Sequence, residues 1–461
     1  MLQDYAKRHN NINRDAMGKW RLYSLCLAAI AFVIAGIGLF VDAFPYLRQS
    51  LLAGSILGAL GLGAFEKTKG YQYTMWIVVA VVAGMTFPER ILHIGEFDMR
   101  NKWLILVVIQ LVMFGMGIQM KVQDFTRIGA SGKGVAIGLA TQFTIMPLVG
   151  FLLTKVFDFE PEIAAGVILI GCCSSGLASN VMAYIAKANL VLSVTVTALT
   201  TMVAPIMTPF MMKVYAGTMV EVSFMEMAME IVKIMIVPIG AGLLHDYLKT
   251  APRATYQMLG RLSAAIALLL LIVVGGFWST FTSSLTPGAK TIVEAGCFIL
   301  GAIPVGFGYH LLTKKFPLLD KRMPYFSMFG IIYFTAVTTA AGQQYLLEIG
   351  AVLFLAAVIH NGAGYFFGYW FSKLFGLNEY SARAMALEIG LQNGGMASGL
   401  AGSMGKLGTV GLAAAVFSPW MNISGSILAN YWRRKQERED RLNKQTDKDQ
   451  REDNIIKEEH G

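Results

Sequence analysis

Long runs of apolar residues, separated by short polar stretches, fill most of the chain. An apolar run of about 20 residues is long enough to cross a bilayer as a helix. The pattern therefore predicts an all-α polytopic membrane protein with about 14 spanning helices. These cover residues 23–42, 49–65, 73–90, 103–120, 133–154, 161–189, 190–214, 228–247, 259–281, 290–313, 323–343, 348–374, 381–403 and 408–432.

The composition supports a membrane protein and excludes a soluble globular fold. Hydrophobic residues make up 55% of the 461 positions and charged residues only 15%. The four cysteines lie inside apolar runs, so they predict neither a disulfide framework nor a metal site. The chain also has no nucleophile elbow, zinc motif or phosphate-binding loop. We therefore expect neither an enzyme nor a resident cofactor.

The formal net charge of +9 is unevenly distributed along the chain. Segment 1–22 is basic, and most of the other Lys and Arg residues fall in predicted loops on the same side of the membrane. From Arg433 to the end of the chain, acidic and basic residues balance. Because cytoplasmic loops are enriched in Lys and Arg, this asymmetry predicts a multi-pass protein of the cell membrane (inner or plasma) with both termini in the cytoplasm. It does not predict nucleic-acid binding.

A few polar side chains lie at predicted membrane depth, where a charged group costs roughly 2.5–3.5 kcal/mol. Lys233 is expected to extend toward the headgroups, and Glu294 to face them. The adjacent polar residues 360–361 favour a buried pair that holds helices together. Glu388 differs because the one basic residue on its helix, Arg383, lies at the helix start. A cation from solution would be a natural partner for its carboxylate.

The stretch LEIGLQNGGMASGLAG (387–402) surrounds Glu388 with amides and glycines. Gln392 lies four residues after Glu388, so the two would share a face of a regular helix. The glycines instead favour an unwound turn with free carbonyl groups. At membrane depth such a turn must be buried in protein or line a cavity. Carboxylate, amide and carbonyl oxygens together suit a small hard cation.

A second interruption lies in GCCSSGLASN (171–180), where Gly176 breaks an apolar run. Ser193 and Thr197 follow four residues apart on the next helix, so their hydroxyls share a face. One interrupted helix in each half of the chain is typical of secondary transporters with inverted repeats. The alternative is that the glycines only permit close helix packing and the hydroxyls bond within their own helices.

Several motifs resemble those of the bile acid:sodium symporter family, over roughly residues 73–281 and 345–435. They are GMGIQM with KVQDF, TQFTIMPLVG, GVILIGCCSSGLASNVMAYIAKANLVLSVTVTALTTMVAPIMTPF, EIGLQNGGMASGLA and FSPWMNISGSILANYW. The resemblance implies two inverted five-helix repeats that form a panel domain and a core domain. Two discontinuous helices, here 161–189 and 381–403, would cross in the core.

The resemblance also implies two sodium sites and a substrate site. The first sodium site would comprise Ser179, Asn180, Ser193, Thr197 and Glu388. The second would comprise Gln142, Glu388, Gln392 and the carbonyls of Ile389 and Leu391. The substrate, an organic anion such as a bile-acid-like molecule or a small carboxylate, would contact Leu177, Ala178, Asn393 and Gly394.

This sequence departs from the family pattern beside the substrate site and in its length. Residues 174–177 replace the family's Pro-Gly-Gly-Thr, and Gly394 stands where many members have serine. The predicted division is a cytoplasmic arm (1–22), an extra hairpin (23–72), the first repeat and the start of the second (73–281), an inserted helix pair (282–344), the rest of the second repeat (345–435) and a charged cytoplasmic tail (436–461). Helix 259–281, rather than 323–343, is expected to be the family's seventh helix.

The sequence thus predicts sodium-coupled symport of an organic anion by alternating access. Expected partners are the substrate, sodium ions and the lipid bilayer. A proton-coupled or uncoupled transporter of the same fold is the alternative, because Glu388 could titrate if no sodium were bound.

Overall fold

The computed structural model describes the backbone of residues 2–38, 44–65, 72–126, 128–278 and 282–459, and the side chains of most of residues 19–440. A two-stranded hairpin, β1 (His93–Ile94) with β2 (Phe97–Asp98), is its only sheet in these ranges. In chain order the helices are α1 (Leu2–Gly38), α2 (Phe44–Gly61), α3 (Gln72–Thr86), α4 (Pro88–Leu92), α5 (Lys102–Gln119), α6 (Val122–Thr126), α7 (Ile128–Phe157), α8 (Pro161–Cys172), α9 (Ala178–Ile185), α10 (Leu190–Ala216), α11 (Phe224–Ile231), α12 (Val237–Leu248), α13 (Arg253–Ile272), α14 (Pro287–Lys315), α15 (Leu318–Ala341), α16 (Gln343–Leu374), α17 (Glu379–Gly390), α18 (Gly394–Ser403) and α19 (Leu412–Glu459).

Nine candidate spans in the described residues are long and apolar enough to cross a membrane. This finding confirms an all-α polytopic membrane protein. It does not confirm the predicted count of 14. Segments 49–65 and 323–343 are helical but are not among the nine, α3 is shorter, and 161–189 and 381–403 are each divided in two.

The two ends of the chain are helical for longer than the sequence indicates. The basic arm and residues 23–38 of the first predicted span form one helix, α1, and the charged tail continues α19 as far as Glu459. The side chains of residues 2–18 and 441–459, and the whole of loop 66–71, lie outside the described residues. The predicted charge asymmetry is therefore described only in part.

The two divided helices meet at the centre of the bundle. The break between α8 and α9 lies against the break between α17 and α18, and one antiparallel bridge joins them. The amide of Gly176 donates to the carbonyl of Leu391 at 2.8 Å, and the amide of Asn393 donates to the carbonyl of Ser174 at 2.9 Å. Each irregular segment therefore supplies main-chain partners that the other would otherwise lack at membrane depth.

A glycine allows the two breaks to approach so closely. A Cβ atom at Gly176 would lie 3.0 Å from the carbonyl oxygen of Gln392. Any side chain there would push the two segments apart. The glycine that interrupts the apolar run in the sequence is thus a contact point between the two crossing helices.

Two helix pairs lie at the periphery of the bundle. Helices α1 and α2 pack on each other, and α2 also packs on α3, while α13 packs against α14, which in turn packs on α12. Lys233 lies 3.0 Å from Glu230 and 3.2 Å from Glu294 and is only 8% exposed. The expectation that Lys233 and Glu294 extend separately to the headgroups is wrong, because a membrane-embedded ammonium is better stabilised by carboxylates than by reaching a distant surface.

The end of α19 is attached to both divided helices. Arg383 of α17, which is 1% exposed, donates to Glu379 at 3.0 Å and to Gln436 at 3.1 Å. Lys187, directly after α9, lies 3.6 Å from Asp440. The start of the charged tail therefore packs on the crossing helices rather than extending freely from the last span.

Candidate functional site

Glu388 lies near the end of α17 and is completely buried, at 0% exposure. Ser179 and Ser193 donate to one of its carboxylate oxygens at 2.7 and 2.8 Å, and Thr197 donates to the other. The short half-helix α9 contributes Ser179, while α10 contributes the other two hydroxyls from one face. Three hydroxyl dipoles thus converge on one buried carboxylate.

Asn180 joins the same cluster through its side-chain oxygen. It lies within hydrogen-bonding distance of the hydroxyls of Ser193, at 2.8 Å, and Thr197, at 3.2 Å. The five residues predicted for the first sodium site therefore form one connected group of oxygen atoms between α9, α10 and α17. Because hydroxyl groups rotate, the same oxygens can turn their lone pairs toward a cation.

No basic side chain in the described part of the chain forms an ion pair with Glu388. Arg383, on the same helix, is held instead by Glu379 and Gln436. A buried carboxylate without a charged partner is unfavourable at membrane depth. The cluster can therefore stabilise a positive charge that arrives from solution, either a metal cation or a proton.

The residues predicted for the second sodium site lie on the other side of the crossing. Gln142 donates to the side-chain oxygen of Gln392 at 2.5 Å and to the carbonyl of Cys173 at 2.8 Å. Gln392 in turn donates to the carbonyl of Ile389 at 2.5 Å. The carbonyl of Leu391 accepts from Gly176, and Glu388 makes its hydrogen bonds to the hydroxyl cluster. The structure thus brings Gln142, Gln392 and Ile389 into direct contact.

A cavity of about 350 Å³ lies beside the crossing. The four residues predicted to contact substrate, Leu177, Ala178, Asn393 and Gly394, all line it. The starts of α9 and α18 therefore face the cavity, and the positive ends of their dipoles favour an anionic group. The opposite wall is formed by α3, α5, α15 and α19, with polar and apolar side chains mixed.

Gly394 packs directly against Ser418 of α19. A Cβ atom at position 394 would lie 1.9 Å from the Ser418 hydroxyl oxygen, and both residues line the cavity. The hydroxyl that the family pattern places at 394 would have no room here, and Ser418 supplies one at nearly the same place. No local signal in the sequence connects these two positions.

The pair at 360–361 is buried and bridges helices, as a structural pair would. His360 contacts the carbonyl of Met146 at 3.2 Å, and Asn361 donates to the carbonyl of Gly390 at 2.7 Å. In both contacts a side chain of α16 binds a main-chain carbonyl of a neighbouring helix, α7 or α17.

A bundle of membrane-length helices, with two broken helices that cross beside a cavity, is the architecture of a secondary transporter. Comparison with known proteins agrees. Residues 106–285 match the family described as "Sodium Bile acid symporter family". The chain is 30% identical to the "Uncharacterized sodium-dependent transporter YocS" of Bacillus subtilis (strain 168) over 367 residues, which cover 79% of this chain and 92% of that protein.

Two further relatives come from plants and animals. One is the "Probable sodium/metabolite cotransporter BASS1, chloroplastic" of Arabidopsis thaliana, 26% identical over 78% of this chain and 73% of the relative. The other is the "Ileal sodium/bile acid cotransporter" of Homo sapiens, 31% identical over 38% of this chain and 51% of the relative. The chain belongs to the sodium bile acid symporter family, whose relatives named here are transporters and not enzymes.

Proposed function

We propose that this protein is a secondary active transporter that couples the movement of sodium to the symport of an organic anion. The observation that carries this proposal is the buried carboxylate of Glu388, surrounded by hydroxyl and amide oxygens and lacking a basic partner among the described residues. Oxygen donors of this kind replace the hydration shell of a small hard cation.

The two predicted sodium sites follow from the two oxygen clusters beside the crossing. Ser179, Asn180, Ser193 and Thr197 would hold the first ion together with Glu388. Gln142, Gln392 and main-chain carbonyls would hold the second, with Glu388 between the two. Binding of cations on both sides of one carboxylate would link ion occupancy to the geometry of the crossing helices.

The substrate would bind in the neighbouring cavity with its anionic group at the starts of α9 and α18. About 350 Å³ accommodates a small organic molecule, because ligand pockets are commonly about 300–1,000 Å³. Walls of mixed polarity suit an amphipathic carboxylate or sulfate. Asn393 and the hydroxyl of Ser418 would complete its contacts.

The position of the cavity supports alternating access. It reaches Tyr73, Gln119 and Pro324, at ends of α3, α5 and α15 that lie on one side of the bundle. On the other side, Lys406 and Glu162 form a 2.8 Å ion pair between α8 and the loop after α18. From the distribution of basic residues, we assign the side of the bundle that the cavity reaches to the cytoplasmic face of the cell membrane. Both termini would lie on the same face.

Packing also favours a different choice of inserted helix pair. Helix α15 packs on α3 and α5 and lines the cavity, whereas among the described helices α13 packs mainly on α14 and is largely exposed. We therefore propose α13 and α14 as the peripheral addition, and α15 (within the predicted segment 323–343) as the family's seventh helix.

A thermal-shift screen of carboxylates and sulfates, with sodium or choline as the cation, tests the proposal. Ligands that stabilise the wild-type protein only in sodium should then drive sodium-dependent uptake in vesicles. Glu388→Gln should abolish the sodium dependence, while Glu348→Gln, an exposed residue of α16, should leave it unchanged. Sodium-dependent uptake by Glu388→Gln at the wild-type level would contradict the site assignment.

A second candidate, proton coupling, rests on the same buried carboxylate, which can hold a proton as well as a cation. It predicts uptake that is equal in sodium and choline and that changes with an imposed pH gradient. The same vesicles, assayed at several pH values in choline, distinguish the two couplings.

A further inference from the structure

The helix breaks leave carbonyl groups at the ends of α8 and α17 without helical partners. At the first break, Thr208 donates to the carbonyl of Cys172 at 2.7 Å, and Gln142 donates to that of Cys173 at 2.8 Å. At the second break, Asn361 donates to the carbonyl of Gly390 at 2.7 Å. In both cases an amide on the long helix preceding the broken one, α7 or α16, binds a carbonyl at the break.

Asn361 is held at both ends of its amide group. Its nitrogen binds Gly390, and its oxygen accepts from Ser424 of α19 at 2.5 Å. The Tyr365 hydroxyl lies 2.9 Å from the Ser424 hydroxyl. Asn361 is 1% exposed. Its orientation is therefore fixed by two neighbouring helices.

The packing around Gly390 leaves no room for a water molecule that could replace the Asn361 amide. A Cβ at Gly390 would lie 2.3 Å from ring atoms of Tyr365, and one at Gly364 would lie 2.7 Å from the Gly390 Cα. A water molecule needs its own volume and several polar partners. Loss of the Asn361 amide would therefore leave the Gly390 carbonyl unsatisfied.

Three consecutive carbonyls at this break have three different partners. That of Ile389 accepts from Gln392, that of Gly390 from Asn361, and that of Leu391 from Gly176. Adjacent peptide planes are coupled, because they share a Cα atom at which sterics allow only a limited set of φ and ψ combinations. The direction of the middle carbonyl therefore restricts the directions of the other two.

We propose that Asn361 is a positioning residue for the second sodium site. By binding the Gly390 carbonyl, it fixes the directions of the Ile389 and Leu391 carbonyls that would coordinate the ion. Residues that orient ligands from outside the coordination shell change metal affinity without touching the metal. This inference rests on the proposed function, because it requires sodium at that site.

The test is a sodium titration of thermal stability and of uptake with the Asn361→Leu variant, which keeps a similar size but has no donor. We expect the half-saturating sodium concentration to rise about tenfold or more, with uptake restored at saturating sodium. Asn430→Leu is the matched control, because the Asn430 amide bonds to Ser426 on its own helix and to no other residue that the structure describes. Ser424→Ala, which frees one end of the Asn361 amide, should give a smaller shift in the same direction.

The outcomes separate this inference from the proposed function. If Asn361→Leu lowers stability without sodium but keeps the wild-type half-saturating sodium concentration, Asn361 is only structural and the inference is wrong. If Asn361→Leu does not fold, an unchanged sodium titration of Ser424→Ala is decisive against it. A wild-type protein that does not respond to sodium would instead overturn the proposed function itself.

Discussion

The backbone amide of Gly176 donates a hydrogen bond to the carbonyl of Leu391, at 2.8 Å, and so joins the two broken helices through their main chains. This bond lies between the hydroxyl cluster at Glu388 and the amide pair of Gln142 and Gln392. Because this hydrogen bond joins the two breaks, we expect a substitution at either break to alter the geometry of both oxygen clusters.

Substitution of Gly176 by alanine should therefore impair transport. The added Cβ would lie 3.0 Å from the Gln392 carbonyl, and overpacking of this kind costs about 1–3 kcal/mol. We expect a lower melting temperature and a marked loss of sodium-dependent uptake. Gly240→Ala is the control, because a Cβ there would meet no atom within 4 Å. Equal behaviour of the two variants would show that the close approach at the crossing is unimportant.

Loss of one hydroxyl from the Glu388 cluster should weaken sodium binding. Thr197→Val keeps the shape but removes an oxygen that is proposed to contact the ion, and polar interactions with charged groups contribute about 1.5–3 kcal/mol. The half-saturating sodium concentration in thermal-shift titrations should rise about tenfold or more. Thr195→Val is a matched control on the same helix, since that hydroxyl bonds only to the carbonyl of Val191. A similar shift in both variants would argue against a sodium site at Glu388.

Positions 394 and 418 should be energetically coupled. Gly394→Ala should destabilise the protein because its Cβ would overlap the Ser418 hydroxyl, 1.9 Å away. In a Ser418→Gly background the same change should cost much less, with a coupling of roughly 0.5–3 kcal/mol in a double-mutant cycle. Melting temperatures of the four proteins measure it. Additive effects would mean that the two residues do not share this space.

The ion pair between Glu379 and Arg383, the residue that binds Gln436 of the tail, should make the stability of the protein depend on pH. Burial alone would raise the pKa of Glu379, but hydrogen bonds from Tyr369 and Arg383 and the charge of Lys373 hold its pKa below the ordinary value of 4.5. A lowered folded-state pKa stabilises the protein above the unfolded-state pKa, and this contribution is lost as the pH falls through the folded-state pKa. Glu379→Gln should thus melt below the wild type at neutral pH.

The same comparison at acid pH completes that test. The difference in melting temperature between wild type and Glu379→Gln should narrow as the pH falls below about 4.5, where the carboxylate of the unfolded chain is already protonated. A difference that stays constant down to the lower limit of folding would show that the charge of Glu379 does not contribute.

Local sequence signals predict the helices well and their arrangement poorly. Within the described residues, each predicted span is helical or, at 161–189 and 381–403, divided into two helices, because a backbone at membrane depth must satisfy its own hydrogen bonds. Apolar runs do not show that α15 borders the cavity while α13 lies outside, because that difference depends on packing between helices that are distant in the sequence.

In the candidate site, too, local features can be predicted from the sequence and contacts between distant helices cannot. The spacing of Ser193 and Thr197 predicts a shared face, and both hydroxyls reach Glu388. The contact between Gly394 and Ser418, and that between Asn361 and Gly390, join distant helices and leave no periodic signal. For the same reason, the sequence gives no indication that Gln436 contacts Arg383.

Helix α19 begins as the last membrane segment, ends in the charged tail and is attached to both crossing helices. Gln436 and Asp440 fix its base to Arg383 and Lys187, and its backbone continues unbroken to Glu459. A probe attached near Glu459 would follow any rotation of the crossing helices. Its displacement would be larger than theirs because of the length of the helix between the attachment and the probe. A binding partner that held the same end would restrain transport without occupying the sodium or substrate sites.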